Sequence, residues 1–524
     1  MLDLGAQKRS AKMIVVGLIT AGIFATTAVD GTAQPDPAVE ADPTTPRPPF
    51  EFPPADEALL DEIQLGCWNY FLNEVDPITL MVLDRTDTNV ISVAGVGFQL
   101  TALTIADERG WLAPGLAEIM TSNILRSLRD EPSNRVRGLF YHYLEPGTAK
   151  PSQDGYEEVV STIDTALLFA GLLTASAHFG GEIGDIADQL VAEGDWASFK
   201  LGNAVDPTIR GFISLGWEDK GDVPFEQGLL PFAWADAGDE QRLTAFLAAA
   251  APNKAFRVPI HEYYRLRRTL GTTDNGDTIA WFPWSGALFT AFFSHCWIDY
   301  ASRGADNPAA FGIANRPGID WWENSRRTAV MHRDRSIANP AGLTGFGPFA
   351  WGLSASDGEG RYIVPGMFPQ LSNGQFGQPG FDHLVLQPAD NWEDGTLAPY
   401  TAGSTIVFEP QNAVFALRFY RQLAQSLAPA LWDDPAAGGY GFADSFRFGP
   451  NGTVEWVASD RVAIDAGPML IMIENARSRF VWNTFESHPY IRAVRRLNPV
   501  NRTEGQLRRG TNPAVTTEQE REPR

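Results

Sequence analysis

Cysteine is scarce in this chain. Its 524 residues contain two, Cys67 and Cys296, and neither belongs to a zinc-finger spacing. Each precedes a Trp inside an apparent helix, which reads as a buried thiol; an exported setting would permit a bridge, but nothing in the spacing implies one. Histidine is sparse too, and His142, His295 and His332 lack the spacing of a ligand set. Positive charge falls short: 41 Lys and Arg face 64 Asp and Glu, a formal charge of −23. Phosphate neutralisation needs clustered Lys and Arg, so nucleic acid and anionic membranes are excluded as partners, while a neutral substrate fits. Several catalytic signatures are also missing. There is no G-x-S-x-G elbow, no H-E-x-x-H, no phosphate-binding loop and no dinucleotide fingerprint. The "DNGD" at 274–277 reads as a turn, with a calcium site as a weaker alternative.

The ends are set apart by composition. Lys8, Arg9 and Lys12 precede the apolar run "MIVVGLITAGIFATTAV", and "GTAQ" offers cleavage after Ala33, so residues 1–33 read as a signal peptide. The run is short for a membrane span, and no cysteine follows the cleavage site, which argues against a lipid anchor. Residues 34–54 form a Pro-rich linker. Residues 491–524 are polar and aperiodic and read as a disordered tail. The expected location is the periplasm or the medium, with no stable membrane span once the signal is removed.

What is present is helical. Between 55 and 490, polar or Gly-rich loops repeatedly lead into runs rich in Ala, Gly, Leu and Phe, with apolar spacings of three and four. Helices are expected within 92–112, 161–180, 225–238, 285–300, 321–336, 402–427 and 465–478. More amphipathic ones alternate with them, as in "DEALLDEIQLGCWNYFLNEV" and "LAEIMTSNILRSLRDE". Small-residue helices buried on most sides and amphipathic helices with one wet face suggest two concentric layers. The expected class is all-α, an α/α toroid with long loops framing a cleft at one end. The Gly- and Pro-rich stretch 340–400 would supply loops or short strands over it. The 15 Trp and 32 Phe often sit in polar, Gly-rich loops, where they either form platforms for flat rings such as sugars or plug the ends of the core.

With rival chemistry missing, carboxylates are what remain. A glycosidic bond is hydrolysed by two carboxyl groups in different environments, one kept protonated by apolar surroundings and one ionised among polar groups. Glu226 in "VPFEQGLLPFAW" suits the first description, though a helix N-terminus also favours an acid. Asp154, Glu157 and Glu158 crowd a Gly-containing loop with Tyr156 and suit the second, though a solvated acidic loop is the plainer explanation. Asp164 closes a capping box with Ser161. Asp465 reads as a helix-start residue ahead of Pro468, and Glu323 as a partner for Arg326 or Arg327 one turn on. Arg85, Arg326 and Arg327 either reach sugar hydroxyls or hold loops by ion pairs.

Nine blocks in order between about 65 and 485 resemble the glycoamylase-like family that includes glycoside hydrolase family 144, the bacterial endo-β-1,2-glucanases. They are "LDRTDTNVISVAGVGFQLTALTIADERGW", "GLFYHYL", "EVVSTIDTALLFAGLL", "FEQGLLPFAWA", "FFSHCWIDY", "WWENSRRTAV", "FAWGLSASDG", "DGTLAPYTAGS" and "AIDAGPMLIMIENARSRFVW". The resemblance implies an (α/α)6 barrel and an inverting hydrolase releasing sophorose-type oligosaccharides from β-1,2-glucan. It implies Glu226 as general acid, with Asp154 and Glu157 near the attacking water. Expected substrate contacts are Arg85, Tyr156, Phe225, Trp281, His295, Trp297, Asp299 and Trp351. No cofactor and no metal are required. "FEQG" departs from the family's usual Asn-Glu pair followed by a small or apolar residue, and Lys150 stands where more acidity is usual. The alternatives are a retaining transglycosylase (carboxyls ~5 Å apart, not ~6.5–9.5 Å), an exo-acting enzyme on the same fold, a non-catalytic periplasmic glycan-binding protein, and a polysaccharide lyase, which the lack of a basic groove disfavours.

Overall fold

The computed structural model describes residues 47–153, 158–219, 228–281, 286–367, 383–385 and 391–497. Among them thirteen α-helices carry the architecture. In chain order these are α1 (Pro54–Asn73), α2 (Val93–Glu108), α3 (Leu116–Asp130), α4 (Thr162–Phe179), α5 (Gly181–Glu193), α6 (Asp239–Ala250) and α7 (His261–Arg265). They continue with α8 (Trp321–Ala338), α9 (Pro399–Ser404), α10 (Pro410–Ser426), α11 (Ala463–Ser478), α12 (Phe480–Ser487) and α13 (Pro489–Leu497).

The two expected helix types are both present. In α2 every residue from Val93 to Ala106 is buried, and in α4 every residue from Thr162 to Ser176. Among the described helices α4 alone is long and apolar enough to cross a membrane; here that character faces neighbouring helices. By contrast α3 buries one stripe, Ala117, Met120, Thr121, Ile124, Leu125 and Leu128, and leaves the rest wet. The apolar helices follow one another around an inner circle. α2 packs on α4, α4 on α6, and α6 on the 3-10 turns between Leu288 and Cys296. Phe292 from those turns meets the Tyr400 ring of α9 edge-on at 6.2 Å. α9 packs on α11, and α11 closes on α2. Outside lie α1 against α11 and α2, α3 against α5, and α10 against α9. The α2–α4 crossing depends on glycine. A Cβ on Gly97 would meet the Leu167 carbonyl oxygen at 2.3 Å, and one on Gly171 the Gly97 oxygen at 2.1 Å.

Two expected helices are absent. Residues 229–237 run as isolated bridges, Trp217 to Leu229, Ser214 to Ala233 and Asp236 to Arg267, so the helix starts only at Asp239. Pro231 has no N–H and pushes Leu230 out of helical geometry. Residues 286–302 form short 3-10 turns because their backbone donors are committed elsewhere. Leu288 N–H goes to Leu353 O at 2.9 Å, Phe289 N–H to Ser354 Oγ at 3.0 Å, and Ser294 N–H to the Asp239 carboxylate. The expected 402–427 run is two helices, broken ahead of Pro410.

Small antiparallel pairs dress one end of the circle. β1 (Val159–Ser161) pairs with β2 (Gly216–Glu218), with Val160 opposite Trp217. β3 (Ser356–Gly358) and β4 (Arg361–Ile363) form a hairpin within the 340–400 stretch, in line with the expected short strands. Cys67 and Cys296 are buried and unbridged, and the Cys67 thiol is pushed up to about 12 by burial. In the 274–277 turn the Asp274 carboxylate accepts from Arg335 Nε at 2.8 Å.

Candidate active site

The inner helices begin at one end of the circle, and their first turns bring acids together. Ser92 caps α2, accepting the Gly95 N–H at 3.4 Å. Ser161 caps α4 as the sequence suggests: its Oγ accepts the Asp164 N–H at 3.3 Å, and its hydroxyl donates to the Asp164 carboxylate. The other Asp164 oxygen lies 3.6 Å from His142 Nε2, whose ring stacks on Tyr143 at 3.8 Å. Asp84 stands beside this pair, close enough to feel both His142 and Asp164. Its carbonyl accepts the first N–H of α11, from Ala463, at 2.9 Å, which stitches the 84–90 loop to that helix start.

Glu240 holds the distinctive place. It is the one residue of α6 that is not buried, and it lies close enough to Asp164 of the neighbouring α4 to feel its charge. Burial on most sides, the Asp164 charge and the neighbouring Asp239 all raise its carboxyl well above the ordinary range. A carboxylic acid kept protonated opposite a hydrogen-bonded carboxylate is the division of labour that acid/base hydrolysis requires.

A second carboxyl pair lies at the start of α11. Asp465 and Asp444 hydrogen-bond to each other. Burial pushes Asp444 up to about 6 and Asp465 well above its usual value, as expected when two buried carboxyls share a proton. Asp444 also accepts the Asp357 N–H at 2.7 Å, tying the pair to the β3–β4 hairpin. From that hairpin Tyr362, 42% exposed, lies with its ring centroid 5.6 Å from the Arg85 guanidinium. Arg85 itself bonds Asp84 at 3.2 Å and approaches Asp357 at 3.5 Å.

The sequence-derived residues divide sharply. Asp154, Tyr156, Glu157, Phe225 and Glu226 lie outside the described residues. Arg85 is at the acidic end, beside Asp84, and is partly exposed. Trp281 is buried where a short strand ends. His295, Trp297, Asp299 and Trp351 are core residues with no surface to offer a sugar. His295 Nε2 meets Ser325 Oγ at 3.0 Å, and burial holds its pKa well below the usual value. Trp297 donates to Thr101 Oγ1 at 3.1 Å and packs on Phe98. Asp299 caps a 3-10 turn and binds Arg479 at 2.5 Å. The backbone N–H of Trp351 donates to the Tyr420 hydroxyl. Glu323 pairs with Arg326 and Arg327 at 2.8 and 2.9 Å, so these two arginines hold structure. Asp84, Glu240, Asp444 and Tyr362 were not singled out from sequence. The signal for Glu240 was the acid pair before "QRLTAFLAAA", obscured by placing that helix start upstream of Pro231.

Comparison with known proteins agrees with this architecture. Residues 231–489 match the family described as "Putative glucoamylase". A curated relative, an exo β-1,2-glucooligosaccharide sophorohydrolase (non-reducing end) of Parabacteroides distasonis, is 25% identical over 473 residues; the match takes in 84% of this chain and 57% of that protein. The solved endo-β-1,2-glucanase of Chitinophaga pinensis, in complex with sophorotriose and glucose, superposes with a TM-score of 0.67 at 21% identity, covering 84% of this chain and 97% of that one. A β-1,2-glucanase of Parabacteroides distasonis gives 0.68 at 22% identity, covering 85% and 60%. The chain thus shares its fold with these structures over most of its length and resembles the glucoamylase-like family across residues 231–489.

Proposed function

We propose that this protein is an exported glycoside hydrolase cleaving β-1,2-linked glucan, with inversion, on an (α/α)6 barrel. The observation that carries the reading is Glu240, the one residue of α6 left partly exposed, whose carboxyl burial and the nearby Asp164 raise well above the ordinary range. Glu240 donates its proton to the glycosidic oxygen. Asp164, with the acids of the 154–158 loop just upstream of β1, stabilises the positive charge and orients the attacking water. Arg85 and Tyr362 contact the sugar. The proximity of Glu158 and Asp219 to Tyr141 supports an acidic wall on the water side.

Glu240 takes the acid role here in preference to Glu226. It lies inside the matched span 231–489, whereas Glu226 precedes it. Asp239-Glu240 is an acid pair that departs from the family's usual pattern in Asp for Asn and in the Gln241 that follows, whereas at Glu226 the residue before the acid is Phe225. Cleavage within chains or from an end are both in keeping with the named relatives, one exo and one endo. Residues 1–33 act as the export signal, which N-terminal sequencing of the secreted protein checks.

The test is incubation of the purified protein with linear β-1,2-glucan, following products by chromatography and anomeric proton signals, beside Glu240→Gln and Glu226→Gln. Sophorose-type products with inverted ends, lost in Glu240→Gln alone, support the reading in full. Loss in Glu226→Gln alone moves the acid to Glu226. Binding without turnover in the wild type refutes catalysis.

A further inference from the structure

α6 opens with two acids of unlike surroundings. Glu240 is partly exposed; Asp239 is fully enclosed. Asp239 accepts the backbone N–H of Ser294 with one oxygen and the Arg242 guanidinium with the other. The Arg242 guanidinium in turn lies 4.0 Å from the Trp321 ring centroid and 4.6 Å from that of Tyr300. One ion pair therefore ties α6 to the 294–302 turns and to α8.

We propose that the buried Asp239–Arg242 pair is the positioning element of the acid, locking the first turn of α6 and setting a fixed negative charge one residue from Glu240. This rests on the reading of Glu240 as general acid. Stability alone gives a weak reason to keep such a pair, since apolar residues of similar volume usually hold a core as well. The position gives a better one. A helix N-terminus normally favours the ionised form of an acid, and a fixed carboxylate next door opposes that. The groups facing Asp239 are Arg242, Tyr300, the Cys296 thiol and His295, whose Nε2 is 3.7 Å away and which burial keeps neutral. Those facing Glu240 are Asp164 from α4 and Asp239 itself, and both act in the same direction as burial.

The test is the pH profile of kcat/KM for Asp239→Asn, whose amide oxygen can still accept from Ser294. The expected result is a folded enzyme with KM nearly unchanged and an alkaline limb moved to lower pH. The ratio of kcat/KM at pH 8 to that at pH 6 falls roughly three- to tenfold. If that variant does not fold, Asp239→Asn with Arg242→Met removes both charges together and is expected to give the same movement. An unmoved profile, or a kcat lowered equally at every pH, overturns the proposal. Failure of both variants to fold assigns the pair to stability and overturns it too. Should Glu240→Gln retain activity, the reading of Glu240 is itself refuted and this inference goes with it.

Discussion

The two ends of the inner circle treat buried acids in opposite ways. Where the inner helices finish, the acids Glu474, Glu486 and Asp299 each lie beside an arginine. Glu474, 1% exposed, accepts from Arg109 at 2.7 Å, Gln64 at 3.1 Å and Ser478 at 2.5 Å. Arg477 binds Glu57 and Asp61, Arg303 binds Glu486, and Arg479 binds Asp299. Where the helices start, Asp84, Asp164, Glu240, Asp444 and Asp465 crowd together, with Arg85 beside Asp84 and His142 beside Asp164. Paired acids build structure. Acids forced to share protons cost stability and keep a proton available near neutral pH.

That contrast can be broken at either end. The largest effect is expected from Glu240→Gln, which should lower kcat by roughly 10²–10⁴-fold while leaving the melting temperature unchanged or higher. Steady-state kinetics beside thermal unfolding checks both halves. At the other end Arg109→Ala should do the reverse. It strips a buried carboxylate of its cation and costs about 3 kcal/mol in denaturant unfolding, with activity per folded molecule retained.

Asp444→Asn probes the shared proton. The folded Asp444 carboxyl titrates near 6 against an ordinary 3.8, so the folded state binds its proton more tightly than the unfolded chain does. Its contribution is therefore fully present below pH 3.8 and is lost as pH rises through about 6. Relative to wild type, the variant should gain about 2 kcal/mol between pH 4 and pH 7, read from unfolding free energies at both values. A difference that does not vary with pH would mean the two carboxyls do not hold a common proton. The smallest effect is expected for Glu323→Ala, which removes a partly exposed ion-pair cluster. It should cost less than about 1 kcal/mol and leave kinetics alone.

Much of the frame was readable in advance. Helical periodicity placed α2, α4, α8 and α11 within a few residues of their observed ends, and the Ser161–Asp164 cap was visible as a pattern. The residues misjudged as sugar contacts share a cause. His295, Trp297, Asp299 and Trp351 are polar or aromatic beside loops, and composition cannot separate a wet ring from one at 0–2% exposure. The same limit hid Glu240 and Asp444, which look like ordinary helix-start and loop acids until their neighbours are known.

By itself the sequence determined the helical class, the alternation of all-apolar with amphipathic helices, the shortage of cations and the excess of carboxyls. These are properties of composition and local periodicity, which need no partner to be expressed. The tertiary structure alone decided which carboxyls are raised above the ordinary range. Glu240 on α6, and Asp444 with Asp465 at the start of α11, come to lie among other buried acids only when distant helix starts meet. Burial and opposing charge are properties of that meeting, and no single segment contains them.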